Sequence, residues 1–252
     1  MKKTLEVLAI ISAAAVALSS CSQEFRTGKT EISENFALMD GRTDSLHISV
    51  SVEYPVSGQN EDARLKMSTA ITAALFGEEY SGMQPEAAAC SYREDLAEEY
   101  RAENLPLAES EEFQDATFQW ADDISGHFCP ASDGLVSYVI SHHSYRGGAH
   151  GITSEISYNF DLKTGEPVEE TDFFTAGYET RLTRLLTSRL PEALESPADT
   201  SMMFLKEIEP NGNFSISDKG VTYIYNHYEI APYSMGIIRI TIPWEDLNDI
   251  IR

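Results

Sequence analysis

A chain of 252 residues with 42% apolar and 10% aromatic content has enough hydrophobic material for an ordinary core, as one domain or two packed halves, which excludes an intrinsically disordered protein. Its formal charge of −23 makes nucleic acid a poor partner and favours the approach of cationic proteins or peptides, an attraction that salt weakens. Plain solubility of an exported protein accounts for the same charge.

The first twenty residues stand apart. Lys2 and Lys3 precede an apolar run from Leu5 to Leu18, the pattern of a signal peptide rather than a span, since crossing a bilayer takes about 20 apolar residues. Leu18-Ser19-Ser20-Cys21 resembles the lipobox of bacterial lipoproteins, which implies that Cys21 becomes a lipidated first residue and holds the folded part outside the cytoplasm, at the inner or the outer membrane. Loss of Lys2, Lys3 and Glu6 then takes the charge from −23 to −24. Cys90 and Cys129 remain. In an oxidising compartment they either form a disulfide, worth roughly 3 to 4 kcal/mol, or stay as two separate buried thiols.

Residues 21–45 are polar, show no sustained period and read as a tether. Leu46, Ile48, Val50, Val52 and Tyr54 alternate with polar residues and predict a strand ended by Pro55. Ala63, Met67, Ala70, Ile71, Ala74 and Leu75 share one helical face stopped at Gly77, and a second helix runs from Pro85 to about Asn104 with Ala89, Tyr92, Leu96 and Tyr100 in one stripe. From Glu78 to Glu112 eleven acidic residues face only Arg93 and Arg101, as a solvated surface or as a docking surface for a cationic partner.

Strands dominate after Thr117. Asp133-Gly134 predicts a turn into Leu135–Tyr145, where Val136, Tyr138, Ile140 and His142 share one face and Ser137, Ser141, His143 and Tyr145 the other. Tyr145-Arg146-Gly147-Gly148-Ala149-His150-Gly151 connects to a returning strand with Ile156, Tyr158, Phe160 and Leu162 on its apolar face. Tyr178 to Leu190 marks a helix broken by Pro191 and Pro197. Alternation recurs around Phe214, Val221 to Tyr225 and Ile238 to Ile242, and a short last helix carries Trp244, Leu247 and Ile251. Short turns between strands, with helices between groups of them, predict an α+β fold: antiparallel sheet with helices packed on it, in two closely associated halves, 46–130 and 131–252.

Tyr145-x-Gly147-Gly148-Ala149-His150, Asn159 and Asp161 before Thr164-Gly165, Asp172-Phe173-Phe174, and Tyr228-Glu229-Ile230-Ala231-Pro232-Tyr233-x-x-Gly236 before Ile242-Pro243-Trp244 carry a resemblance. Residues 135–252 resemble the DUF3298-like domain of unknown function shared by RsiV-type anti-sigma factors, which sense lysozyme, and PdaC-type peptidoglycan deacetylases. Residues 46–128 are similar to the DUF4163-like domain that precedes it. The resemblance implies an extracytoplasmic α+β unit that binds lysozyme in the anti-sigma factors. This chain lacks the family's cytoplasmic segment and its deacetylase domain, so neither signal relay nor deacetylation is implied.

The rival class is an enzyme built on His142, His143 and His150. In a regular strand His142 and His143 point to opposite faces and cannot share a tetrahedral metal, and no hydrolase or zinc signature occurs. No catalytic residue, metal or cofactor is expected. Tyr145, Arg146, His150, Tyr228 and Tyr233 are the candidate partner-binding residues, and Gly147, Gly148 and Gly236 shape their loops. His150 either binds a ligand or braces its loop through a backbone hydrogen bond, and Arg146 pairs with an acidic neighbour or with a ligand carboxylate. The expectation is a non-enzymatic envelope lipoprotein that binds a lysozyme-like cationic protein or a cell-wall component, with a peptidoglycan hydrolase and a structural envelope component as alternatives.

Overall fold

The computed structural model describes residues 25–57, 60–130 and 133–252, so the expected signal peptide and Cys21 lie outside the described residues. Where the sequence reads as a tether, the chain forms a twelve-residue strand, β1 (Arg26–Ala37), antiparallel to β2 (Ser45–Ser57). Ile32 and Phe36 are its only large apolar side chains, too sparse a pattern to announce a strand. Two helices follow β2: α1 (Glu61–Phe76), capped by the Asn60 side chain on the Ala63 N–H at 2.8 Å, and α2 (Pro85–Ala108), which runs through Pro106 and past the expected end at Asn104. They form a crossover, and β3 (Trp120–Phe128) accordingly lies parallel to β2, the one parallel pair of an otherwise antiparallel sheet.

Asp133 and Gly134, at φ 48° and 81°, turn the chain into β4 (Leu135–Tyr145), and β5 (Ile152–Asp161) completes the order β1-β2-β3-β4-β5. Side chains then divide by parity. Ile48, Val50, Ile124, Val136, Tyr138 and Phe160 face α1 and α2 and form the first core. Ile156 shares that face but is 44% exposed, because it lies on the edge strand beyond the helices.

A second core gathers Phe173, Phe174, Leu182, Leu186, Tyr223 and Ile240 between α3 (Glu170–Phe173), α4 (Glu179–Ala193) and an antiparallel sheet of β6 (Phe214–Ser217), β7 (Gly220–Tyr225) and β8 (Ile238–Pro243). Pro191 sits inside α4 rather than ending it, and the expected last helix is a 3-10 turn, Trp244–Asp246. The cores divide the chain after Leu162 and not at residue 130, because β4 and β5 finish the N-terminal sheet.

The seam between the sheets is polar. Ser137, Glu155, Ser157 and Asn159, on the face of β4 and β5 away from the helices, are buried there. Asn226 and Asn213 stand in for a neighbouring strand: their Oδ1 atoms accept the Glu155 and Ser157 N–H groups at 2.7 and 2.8 Å, and both amides donate to the Glu155 carbonyl. Further along, the Val168 N–H donates to the Asn159 carbonyl and the Asp161 N–H to that of Glu166, which closes the outer edge of β5. Of the two cysteine alternatives the structure carries free thiols: Cys90 faces solvent on α2, turned away from the sheet, whereas Cys129 is half-buried just past β3. Burial, then the charges of Glu155 and Glu53, push the Cys129 thiol up.

Candidate functional site

The chain reverses between β4 and β5 through Arg146 to Gly151. Gly147 and Gly148 both sit at φ +93°, and nothing lies within 4 Å of where a Cβ would be, so it is the left-handed torsion and not crowding that asks for glycine. The Tyr145 hydroxyl donates to the Gly148 carbonyl at 2.9 Å and closes the loop.

The aromatic segment ahead of β8 folds onto this loop and unites the two motifs. The Tyr233 ring stacks against both His150 and His227, with centroids 4.3 Å apart in each case and interplanar angles of 29° and 20°. Its hydroxyl donates to the Gly151 carbonyl at 2.8 Å, and His150 Nδ1 lies 2.9 Å from the same oxygen, so His150 braces the loop. Tyr228, at φ +68°, holds its ring 5.8 Å from Tyr233 and is 54% exposed; Gly236, at φ +70°, ends the 3-10 turn that carries Tyr233. The result is an imidazole and phenol shelf on the surface.

Arg146 departs from the shelf. Its guanidinium lies 4.7 Å from the Trp120 ring centroid and donates to Asp122 Oδ2 at 2.9 Å. Asp122 has no solvent exposure. Its Oδ1 accepts the Tyr92 hydroxyl at 2.8 Å and its Oδ2 lies 3.1 Å from His142 Nε2. Burial pushes the Asp122 carboxyl up, but the hydrogen bonds and charges of His142, Tyr92 and Arg146 outweigh it and hold the group below its ordinary value. Burial, followed by the charge of Asp122, raises the Tyr92 phenol. Arg146 is thus paired with an acidic neighbour and anchors the loop.

His143 turns to the opposite face, where its Nδ1 lies 2.9 Å from Thr153 Oγ1. Among the described residues no three His, Cys, Asp or Glu side chains gather as a metal site, and no helix is long and apolar enough to cross a membrane.

Beside the shelf an open cleft of about 840 Å³ runs along the seam, lined by Tyr158, Glu170, Asn211, Asn213 and Glu229 among others and by no lysine or arginine. Glu170 is engaged, accepting the Tyr178 and Tyr223 hydroxyls at 2.7 Å each and the Gly212 N–H at 3.0 Å. Asn226 and Glu229 line the cleft on either side of Tyr228, which joins cleft and shelf. The sequence showed Tyr92 only as a packing residue of its helix and did not mark His227 or Asp122; only the position of His227 next to Tyr228 could have flagged it.

Fold and site define a two-core α+β protein whose two motif loops meet in a surface aromatic shelf. Residues 171–245 match the family described as "Protein of unknown function (DUF3298)", a match centred on the second core and shorter than the expected 135–252. A DUF3298 family member from Bacteroides fragilis NCTC 9343 is 29% identical, with a TM-score of 0.80 over 92% of this chain and 95% of that one. A DUF3298 family protein from Pseudomonas aeruginosa PAO1 shares the fold at 19% identity, with a TM-score of 0.63 over 90% and 94% of the two chains. No match is found among curated proteins.

Proposed function

We propose that this chain is a non-enzymatic envelope lipoprotein, anchored by Cys21, whose shelf binds a cationic protein of the lysozyme type or a cell-wall component. The observation that carries this reading is the meeting of the two motifs in one surface stack, His150 exposed on half-buried Tyr233 and His227, with exposed Tyr228 beside it. Rigid aromatic rings with polar tips are efficient anchors for a protein partner and stacking surfaces for sugars. The neighbouring cleft contributes Glu169 and Glu229 without a compensating cation in its lining, on a chain of net charge −23, which suits a basic partner. Calorimetric titration of the full chain with lysozyme at low and moderate salt tests this reading. Saturable binding that weakens with salt supports it, and absence of binding at both removes the lysozyme-type partner.

A peptidoglycan hydrolase is the second reading, favoured by the Asp122 and His142 pair. Both Asp122 oxygens already serve the Arg146 anchor and Tyr92, which suits a structural carboxylate better than one orienting a base. Turnover of muropeptides by the wild type that is lost in His142→Ala would establish it.

A further inference from the structure

The five-stranded sheet has two edges, and the protein treats them differently. The outer edge of β5 is closed by the Asn213 and Asn226 amides and by the backbone of residues 166–168. The other edge is β1, twelve residues without proline. Among the described residues, no backbone hydrogen bond outside the β1–β2 ladder is made by residues 27–37. A long uncapped edge is a template for another strand.

The side chains of β1 select that strand. In a molecule of net charge −23 this stretch is balanced, with Arg26 and Lys29 against Glu31 and Glu34. Glu34, 3.5 Å from Arg93, and Phe36, under the Arg101 guanidinium, face α2, whereas Lys29 and Glu31 pair at 2.6 Å on the face away from it. A two-fold antiparallel pairing must be centred on a residue, because alternate residues direct their N–H and C=O groups to opposite edges. Centred on Thr30, it sets Lys29 opposite Glu31 and Arg26 opposite Glu34 in both directions. Centred on Lys29 or Glu31 it opposes like charges, and centred on Ile32 it faces Lys29 with Asn35 and Glu31 with Ser33. Of these neighbouring registers only the Thr30 centre matches every charge in the overlap, and directly opposed side chains of a sheet interact strongly enough to choose between registers.

We propose that two copies of this chain associate through an antiparallel β1–β1 pair centred on Thr30, which joins two five-stranded sheets into one continuous sheet. Sedimentation velocity of the full chain in density-matched detergent tests it, with a protein mass of twice that of the monomer expected. Lys29→Glu and Glu31→Lys, each on the half-exposed face, are each expected to weaken self-association at least tenfold by placing like charges opposite one another. An equimolar mixture of the two variants recovers the dimer, since the acidic strand of one then meets the basic strand of the other. The double variant, which exchanges the charges within one chain, dimerises as the wild type does and shows that the substitutions leave folding intact. A wild type that stays monomeric at high micromolar concentration overturns the proposal. So do single variants that self-associate as well as the wild type, or a mixture that fails to recover the dimer.

Discussion

Asp122 is the side chain whose loss reaches furthest, because it ties α2, β4 and the glycine loop to β3 through Tyr92, His142 and Arg146. Replacing it with alanine strands the partially buried cation over Trp120 and leaves the Tyr92 hydroxyl without its acceptor. Breaking one side of such a pair costs ~3 kcal/mol, which a urea unfolding midpoint will show. The pH dependence has a definite sign. Asp122 is held below its ordinary value in the folded chain, so its contribution is complete above the unfolded carboxylate range near ~4 and is lost as pH falls through the lower folded value. The stability difference between wild type and Asp122→Asn should therefore shrink on acidification below pH ~4, measured by thermal unfolding across pH. At the shelf, Tyr233→Ala removes the ring that His150 and His227 stack on, whereas Tyr233→Phe removes only the bond to the Gly151 carbonyl. Under the proposed function, affinity for the basic partner falls about tenfold or more in the alanine variant, ~1.4 kcal/mol, and much less in the phenylalanine variant.

Among elements, the edge strands and turns carry the sharper tests. Asn213→Ala deprives the Ser157 N–H of its acceptor and the Glu155 carbonyl of a donor in a buried seam, so a loss of about 2 kcal/mol is expected in chemical unfolding. Gly165, at φ +72° after β5, would carry its Cβ 2.2 Å from the Ala63 carbonyl on α1. Gly165→Ala is expected to cost roughly 2 kcal/mol by combining torsional strain with a backbone clash, seen as a lowered Tm. These elements also mark where sequence reading works. β4 and β5 show alternation or clear turn residues at both ends, and α1 and α2 show clean stripes. β1 shows neither, since a strand at the rim buries one sparse face and leaves the other to solvent, so its composition matches that of a linker.

At the scale of the molecule, the two cores meet across a hydrogen-bonded seam rather than a greasy one, with Glu155 bound by Arg239 from β8 and Ser137 bonded to the Ile216 backbone of β6. Such a seam fixes orientation, because its hydrogen bonds are directional and hold only over a narrow range of distances. The charge belongs to this scale too. If a cationic partner is steered by the field of the whole chain, its association rate falls steeply between low and physiological salt while its dissociation rate changes little, which stopped-flow kinetics will resolve.

Residue order alone set the α+β class, the positions of most strands and helices, and the two glycine-bearing motif loops, because alternation, helical stripes and glycine torsions are local properties. It also separated His142 from His143, since parity along a strand needs no tertiary information. Only the tertiary structure decided that Tyr145–Gly151 and Tyr228–Gly236 form one shelf, that Arg146 is spent on Asp122, and that the division between cores falls after Leu162. Each of these depends on residues far apart in the chain coming into contact, and a buried carboxylate or an asparagine imitating a strand leaves no periodic mark in the sequence to announce it.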